Sequence, residues 1–205
     1  MSEKAQVRPT SVSRLAGSVT FSNKGRQTVV LNYDQSLTLV GSGRSAYVFK
    51  LPTVNRVLKV FYPPYEKLAY QEAEIYQLLA DTAHYPALYE VGHGYLVIDY
   101  IKGQTFFQCL LHGIRVRTEN VKSVDQAIEG ARLKGLNPSD IHLHNLMLTE
   151  EGSVKVIDVA RFKQSKQCNQ WNDLKFAFKV YRFFPKRVPK VLLSAIAACY
   201  KAIRI

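Results

Sequence analysis

Hydrophobic and polar positions along the chain predict a first half made mostly of strands and a second half made mostly of helices. Short apolar runs rich in β-branched and aromatic residues, separated by turn residues, predict five strands near the start of the chain. They are Ser18–Phe21, Thr28–Leu31, Leu37–Val40, Ala46–Leu51 and Arg56–Phe61. A further buried strand is predicted over Tyr95–Ile101, and a hairpin is predicted to join Leu146–Leu148 to Val154–Ile157.

Apolar residues at helical spacing predict four helices. The first covers Leu68–Leu79, and the second covers Val121–Ala131 and ends before Gly135. Two more are predicted over Trp171–Phe184 and Pro189–Arg204. Strands that come first and helices that follow, with a mixed centre, predict an α+β fold.

Composition narrows the class of protein. With 205 residues, of which 47% are hydrophobic and 21% charged, the chain can bury a core and fits one globular domain. No apolar run approaches the roughly 18 residues that span a bilayer, and the polar first residues do not resemble a secretion signal. Cys109, Cys168 and Cys199 form no CxxC pair, so reduced thiols and a cytoplasmic location are expected. Residues 1–17 are rich in Ser, Lys and Arg and lack periodicity, which predicts a flexible arm.

The net charge of +12 is concentrated near the C-terminus. Residues 159–205 carry eleven Lys and Arg against one acid, Asp173. A concentrated basic face attracts an anionic partner such as nucleic acid, anionic lipid or an acidic protein. Several of these basic residues also have the spacing of the solvent-facing side of a helix, so a merely solvated surface stays open as an alternative.

A glycine-rich turn, Gly41-Ser42-Gly43-Arg44-Ser45-Ala46-Tyr47-Val48, lies between two predicted strands. Glycines let the backbone approach phosphates closely, and successive backbone N–H groups can point at an anion. Taken alone, the pattern is explained at least as well by a plain hairpin turn. A strand follows the turn where a Rossmann fingerprint would open a helix, so a dinucleotide-binding loop of that type is excluded.

A lysine lies inside the apolar run Val57-Leu58-Lys59-Val60-Phe61. On a half-buried strand such a lysine usually extends its amine outward to water. The functional alternative places the ammonium inside, where it neutralises nucleotide phosphates and is held by a carboxylate. Glu72 and Glu74 on the next predicted helix are the candidate partners. Glu72 is favoured because it shares a face with the apolar residues of that helix.

The third motif runs from Asp140-Ile141-His142-Leu143-His144-Asn145 through the predicted hairpin to Val156-Ile157-Asp158. A carboxylate, an amide five residues later and a second carboxylate after a hairpin form a known arrangement. Asp140 can accept a hydroxyl proton or orient a nucleophile. Asn145 and Asp158 offer hard oxygen ligands for Mg²⁺, and a metal ion would offset the cost of burying Asp158.

In this order and spacing the three motifs resemble the protein-kinase-like superfamily over residues 37–162. Gly41–Val48 is similar to its glycine-rich loop, Lys59 to its phosphate-binding lysine, and Glu72 to the glutamate that pairs with that lysine. Ile98–Gly103 is similar to the hinge, whose backbone would contact adenine. The nucleotide-binding residues that the resemblance implies are Gly41, Ser42, Gly43, Ala46, Val48, Lys59, Asp99 and Ile101.

The catalytic positions match as well, because Asp140 and Asn145 fit the catalytic-loop pattern Asp-x-x-x-x-Asn and Asp158 fits the start of Asp-Phe-Gly. The resemblance implies a two-lobed α+β fold. An N-lobe of antiparallel strands with one helix would cover residues 18–101, and a reduced, mostly helical C-lobe would cover residues 102–205. The implied cofactors are ATP and Mg²⁺, the implied catalytic residues are Asp140, Lys59 and Glu72, and the implied metal ligands are Asn145 and Asp158.

Three departures from the family bear on the acceptor. Pro138-Ser139 stands where protein kinases carry His-Arg, so no arginine is in place to anchor a phosphorylated activation loop. His142 stands where Ser/Thr kinases carry lysine, which is similar to small-molecule and other atypical kinases. There is no Ala-Pro-Glu segment and only 47 residues follow Asp158, so the peptide-binding platform is expected to be reduced. The chain thus resembles the minimal Ser/Thr kinases of bacteria.

Three classes of function are compatible with these sequence features. The favoured one is a phosphotransferase that moves the γ-phosphoryl group of ATP to a hydroxyl, carried either by a protein Ser/Thr or by a small molecule or glycan. The second is a nucleotide-binding pseudokinase regulator. Retention of Asp140 argues against that class, and the reduced peptide platform argues for it. The third is a basic nucleic-acid-binding protein, which the charge alone supports.

Overall fold

The chain divides into two compact units in a computed structural model that describes residues 11–25, 27–166 and 168–181. The first unit comprises the residues up to Glu74 together with the later segment Ala87–Tyr100. The second unit comprises Ile75–Pro86 and the residues from Ile101 onward. The division after Tyr100 lies one residue from the expected lobe boundary, whereas residues 75–86, expected in the N-lobe, belong to the second unit.

The first unit consists mainly of antiparallel strands. Strands β1 and β2 form a separate hairpin, and the other five form one sheet in the order β3-β4-β5-β7-β6. Strand β5 is therefore central, and five of its six residues are buried. The elements in chain order are α1 (Val12–Gly17), β1 (Thr20–Lys24), β2 (Gln27–Asn32), β3 (Thr38–Ser42), β4 (Ala46–Lys50), β5 (Arg56–Phe61), α2 (Leu68–Leu78), β6 (Leu88–Gly92) and β7 (Tyr95–Asp99). The last four residues of α2 belong to the second unit.

Residues 12–17 form helix α1, so the prediction of a flexible arm is wrong for them. The Ser11 hydroxyl caps the helix by accepting a hydrogen bond from a backbone N–H of its first turn. Leu15 and Ala16 are buried in the hydrophobic core of the first unit. A helix of fewer than two turns shows almost no periodicity in the sequence, and its position here depends on that burial. Residues 1–10 lie outside the described part of the chain.

The second unit combines helices with a small antiparallel sheet in the order β10-β9-β8. Helix α4 turns its buried residues, among them Val124, Ala127 and Ala131, toward the interior. Helix α3 begins with a capping box formed by Thr105 and Gln108. The elements in chain order are β8 (Gly103–Thr105), α3 (Phe106–His112), α4 (Thr118–Leu133), β9 (Leu146–Thr149), β10 (Val154–Val156) and α5 (Gln170–Tyr181).

Most predicted elements are present, and the α+β class is confirmed. All six predicted strands, the β9–β10 hairpin and helices α2 and α4 lie within a few residues of their expected bounds. Strands β6 and β8 and helix α3 were not predicted. The predicted helix over Pro189–Arg204 and residues 182–184 of the helix predicted over Trp171–Phe184 lie outside the described residues. Of the helices in residues 11–25, 27–166 and 168–181, each is too short or too polar to cross a lipid bilayer.

Candidate active site

The glycine-rich turn is the connection of the β3–β4 hairpin. The Gly43 N–H donates to the Ala46 carbonyl at 2.8 Å, and Gly41 pairs with Val48 across the two strands. A Cβ atom on Gly41 would meet Val48 at 3.6 Å, and one on Gly43 would meet the Ala46 oxygen at 3.7 Å. Both are ordinary van der Waals contacts, and neither glycine has a positive φ. The fold therefore does not require glycine at either position. A ligand that closely approaches this backbone would require it, because any side chain would stand in the way.

Lys59 lies on the central strand β5 and forms an ion pair with Glu72 of helix α2. The Lys59 ammonium is 2.7 Å from both carboxylate oxygens of Glu72. The relative exposure is 9% for Lys59 and 0% for Glu72, so the pair is removed from water. Glu74, the other candidate partner, lies on the exposed side of α2. The structure therefore brings Lys59 together with the glutamate that the sequence favoured.

The two hinge residues lie at the end of β7. The Asp99 carboxylate accepts hydrogen bonds from the Ala87 N–H and the Tyr89 hydroxyl, both at 2.8 Å. The hydrogen bond to this carboxylate raises the pKa of Tyr89. The Asp99 side chain thus stabilises the β6–β7 pair, and the Asp99 backbone N–H donates to the Ala87 carbonyl at 3.1 Å. Ile101 is half-buried and follows two residues later.

Asp140 adopts a left-handed backbone conformation in the second unit, with φ of 63°. Aspartate tolerates this region better than most residues, and strained positions of this kind concentrate at functional sites. The side-chain amide of Asn145 donates to the Asp140 carbonyl at 3.1 Å and holds the loop closed. The Asp140 side chain is 35% exposed, so its carboxylate is open to a substrate.

Asn145 and Asp158 lie on two segments that are hydrogen-bonded to each other. The Asn145 carbonyl accepts the Ile157 N–H at 3.0 Å, which places Asp158 directly after that contact. Among the described residues, no three His, Cys, Asp or Glu side chains converge to hold a metal by themselves. One amide oxygen and one carboxylate nevertheless fit Mg²⁺, which commonly takes one or two protein oxygens and completes its shell with phosphates and water. The residues predicted as metal ligands are thus suited to that ion.

Arg161 and His142 flank the Asp140 carboxylate, and Arg161 was not predicted from the sequence. Its Nε atom is 3.4 Å from one Asp140 carboxylate oxygen, and His142 Nε2 is 3.9 Å from the other. His142 Nδ1 accepts the His144 N–H at 3.3 Å, so a neutral His142 carries its proton on Nε2. The His144 ring stacks on Phe107 at 4.2 Å. Burial, and secondly the charge of His142, lowers the pKa of His144.

The segment that follows Asp158 is fastened to the residues just before Asp140. The Ser139 hydroxyl donates to the Arg161 carbonyl at 2.7 Å and accepts from the Gln164 side chain at 2.7 Å. Asn137 donates its backbone N–H to the Phe162 carbonyl at 2.7 Å. Ser139 stands where protein kinases carry arginine, and it anchors this short segment directly through its hydroxyl group.

Comparison with known proteins identifies the superfamily. No protein-family model matches the chain. The chain is 48% identical over 197 residues to a Bacillus subtilis (strain 168) protein named "Putative serine/threonine-protein kinase YrzF", covering 94% of this chain and 92% of that protein. The chain belongs to the protein-kinase-like superfamily. That relationship confirms the predicted enzyme class, a kinase, which until then rested on the motifs alone.

A solved structure confirms the fold. The co-crystal structure of WbdD and the kinase inhibitor LY294002 matches 84% of this chain with a TM-score of 0.50 and 18% sequence identity. The chain spans 42% of the WbdD chain. The likeness therefore supports a kinase-like fold. The roles predicted for individual site residues and the predicted anionic partner of the basic C-terminal region stay predictions, and most of that region lies outside the described residues.

Proposed function

We propose that this kinase binds ATP together with Mg²⁺ and transfers the γ-phosphoryl group to a hydroxyl acceptor. The observation that supports this most strongly is the buried ion pair between Lys59 on the central strand and Glu72 on helix α2. Replacing such a pair with apolar residues is often neutral or stabilising, so fold stability alone gives little reason for it. An ammonium held in place by a buried carboxylate is the group that phosphate binding requires.

The remaining roles follow from the chemistry of the other site residues. Asp140 accepts the hydrogen bond of the acceptor hydroxyl and orients its oxygen. Asn145 and Asp158 hold the metal ion, which when bound neutralises charge on the transferring phosphoryl group. The backbone of the Gly41–Val48 turn and the Lys59 ammonium bind the phosphates of the nucleotide. Catalysis in this scheme comes from positioning and electrostatic stabilisation of the transition state.

The acceptor is a small hydroxyl compound in the favoured form of this proposal, and a protein Ser/Thr is the second candidate. Only residues 159–169 separate Asp158 from helix α5. Part of that segment is fastened to the loop before Asp140 by Ser139 and Asn137. A segment this short leaves little chain for a peptide-binding platform. The name of the Bacillus relative supports the protein acceptor.

The thiols bear on where in the cell the enzyme works. We propose that the enzyme works in the cytoplasm, where cysteines stay reduced. Cys109 and Cys168 are both free. Burial raises the pKa of the Cys109 thiol, which disfavours its oxidation further.

The first test is the thermal melting shift with ATP, in the presence and absence of Mg²⁺. At 100 times Kd a ligand adds about 2.7 kcal/mol of stability, which for a chain of this size raises Tm by about 5–10 °C. The rise should depend on Mg²⁺ and should be lost in Asp158→Asn. Asp81→Asn is the matched control, since Asp81 pairs with Lys134 at an exposed position. No metal-dependent rise at millimolar ATP would contradict the proposal.

A second variant separates the kinase from the pseudokinase regulator. Asp140→Asn should keep the ATP-dependent melting shift, because the residue contacts the acceptor in this scheme. It should abolish release of ADP in the presence of acceptor compounds. Unchanged ADP release in Asp140→Asn would show that Asp140 takes no part in the reaction.

A further inference from the structure

The position of Arg161 points to the chemical class of the acceptor. Its Nε atom lies 3.4 Å from an Asp140 oxygen, which is longer than a good N–H···O hydrogen bond. A guanidinium carries five N–H donors in a planar fork, and Nε supplies one of them. The Arg161 side chain is 40% exposed, so its remaining donors are open to a ligand beside Asp140.

Arg161 is held in this place by its own backbone. Its carbonyl accepts the Ser139 hydroxyl at 2.7 Å, and Ser139 is 1% exposed and directly precedes Asp140. Gln164 fastens the same hydroxyl from the other side. The base of the Arg161 side chain is therefore fixed relative to Asp140, and little ordering of the backbone is needed when a ligand binds.

His142 adds a second donor on the other side of the carboxylate. Its Nε2 atom is 3.9 Å from the second Asp140 oxygen, and the ring is 33% exposed. With Nδ1 accepting the His144 N–H, the neutral ring presents Nε2–H. The carboxylate proposed to orient the acceptor is thus flanked by one permanent cation and one imidazole. A guanidinium fork suits phosphate and carboxylate groups particularly well.

We propose that the acceptor is a small hydroxyl compound that also carries a phosphate or carboxylate group, and that Arg161 binds this anion while Asp140 orients the hydroxyl. This inference rests on the proposed function. In the step itself, the acceptor oxygen forms a bond to the γ-phosphorus of ATP and the bond from that phosphorus to the bridging oxygen breaks. ADP leaves, and the hydroxyl proton passes to the Asp140 carboxylate and from there to water. Arg161 is a specificity-determining residue in this scheme.

The first arm of the test measures anion binding directly. Inorganic phosphate is titrated into the wild-type chain and followed by the NMR signals of the His142 ring. The matched variants are Arg161→Gln and Arg132→Gln. Arg132 is a suitable control because it is 61% exposed on α4 and pairs only loosely with Glu129, at 3.9 Å. We expect saturable shifts in the wild type and in Arg132→Gln and their loss in Arg161→Gln. Equal shifts in all three proteins would overturn the proposal.

The second arm measures kcat/KM with matched acceptor pairs, glycerol against glycerol 3-phosphate and glucose against glucose 6-phosphate. We expect the wild type and Arg132→Gln to prefer the anionic member by about 10- to 100-fold, the range of a hydrogen bond to a charged group. In Arg161→Gln the ratio should fall toward one. An equal loss for both members of a pair would make Arg161 a positioning residue for Asp140, and a raised KM for ATP alone would assign it to the nucleotide. Either outcome overturns the proposal.

Two further outcomes keep the inference distinct from the proposed function. If the ATP- and Mg²⁺-dependent melting shift is absent, the proposed function fails. If that shift is present but acceptor selection ignores charge, only the anionic acceptor fails. Transfer to a Ser peptide in preference to all four small compounds would also overturn the inference. If no acceptor is phosphorylated, the phosphate titration with Arg161→Gln decides the question by itself.

Discussion

Substituting Glu72→Gln is expected to destabilise the first unit by about 3 kcal/mol. Glu72 is fully buried and both of its oxygens lie 2.7 Å from the ammonium of Lys59, which is 9% exposed. Removing one charge of a buried ion pair usually costs about 3–5 kcal/mol, because the other charge remains away from water. The amide keeps one acceptor oxygen and nearly the same volume, so the lower end of that range applies. Tm should fall by about 6–12 °C.

An exposed pair with the same separation provides the control. Lys134 and Asp81 lie 2.7 Å apart, and the Asp81 side chain is 71% exposed. Water screens an exposed ion pair, so Asp81→Asn should lower Tm much less than Glu72→Gln does. Unfolding is followed by far-UV circular dichroism and by fluorescence of Trp171, the single tryptophan. Trp171 belongs to the second unit, so the two signals together show whether only the first unit is affected.

A double variant isolates the charge interaction from the change in shape. Lys59→Met combined with Glu72→Gln removes both buried charges. The double variant should lose less unfolding free energy than the Lys59→Met and Glu72→Gln losses added together, by at least about 2 kcal/mol. A coupling of this size is typical of residues in direct contact. If Glu72→Gln cost no more than Asp81→Asn, or if the single effects simply added, the argument from desolvation would be refuted.

Two other predictions test the glycine-rich turn and the histidines. Gly41→Ala should change the free energy of unfolding by less than about 1 kcal/mol, as its Cβ finds an ordinary contact at 3.6 Å, yet it should reduce the ATP-dependent melting shift. His144 has a pKa lowered by burial, so the unfolded chain binds more protons between that pKa and about 6.5 and stability falls as pH drops through this window. Melting curves from pH 7.5 to 5.0 should therefore show a weaker pH dependence in His144→Phe; an unchanged dependence would contradict the assignment.

The sequence predicted the elements whose pattern is local. Strand β5 appears as an apolar run because it is central and buried, and helix α4 shows a stripe at helical spacing because one side is buried. The choice of Glu72 over Glu74 followed from the same argument, since only one of the two shares the buried face of α2. These features require no knowledge of what the element packs against.

The missed elements depend on distant partners or on short signals. Strand β6 is partly exposed and has no clear alternation, and its strand pairing comes entirely from β7. Helix α3 has only seven residues, although the capping box of Thr105 and Gln108 and the left-handed Gly113 after its end were readable signals. Arg161 could not be found this way, because its distance to Asp140 is set by hydrogen bonds between segments more than twenty residues apart in the sequence.

Helix α1 has a practical consequence for handling the protein. A shortened chain that begins at Ser18 would look harmless in the sequence, because residues 1–17 show no hydrophobic periodicity. It would nevertheless remove Leu15 and Ala16 from the interior and expose the apolar surface that they cover. Affinity tags are best attached ahead of Ser11, the cap of the helix. Cleavage by a protease within residues 12–17 would report opening of the first unit and not simple trimming of a loose end.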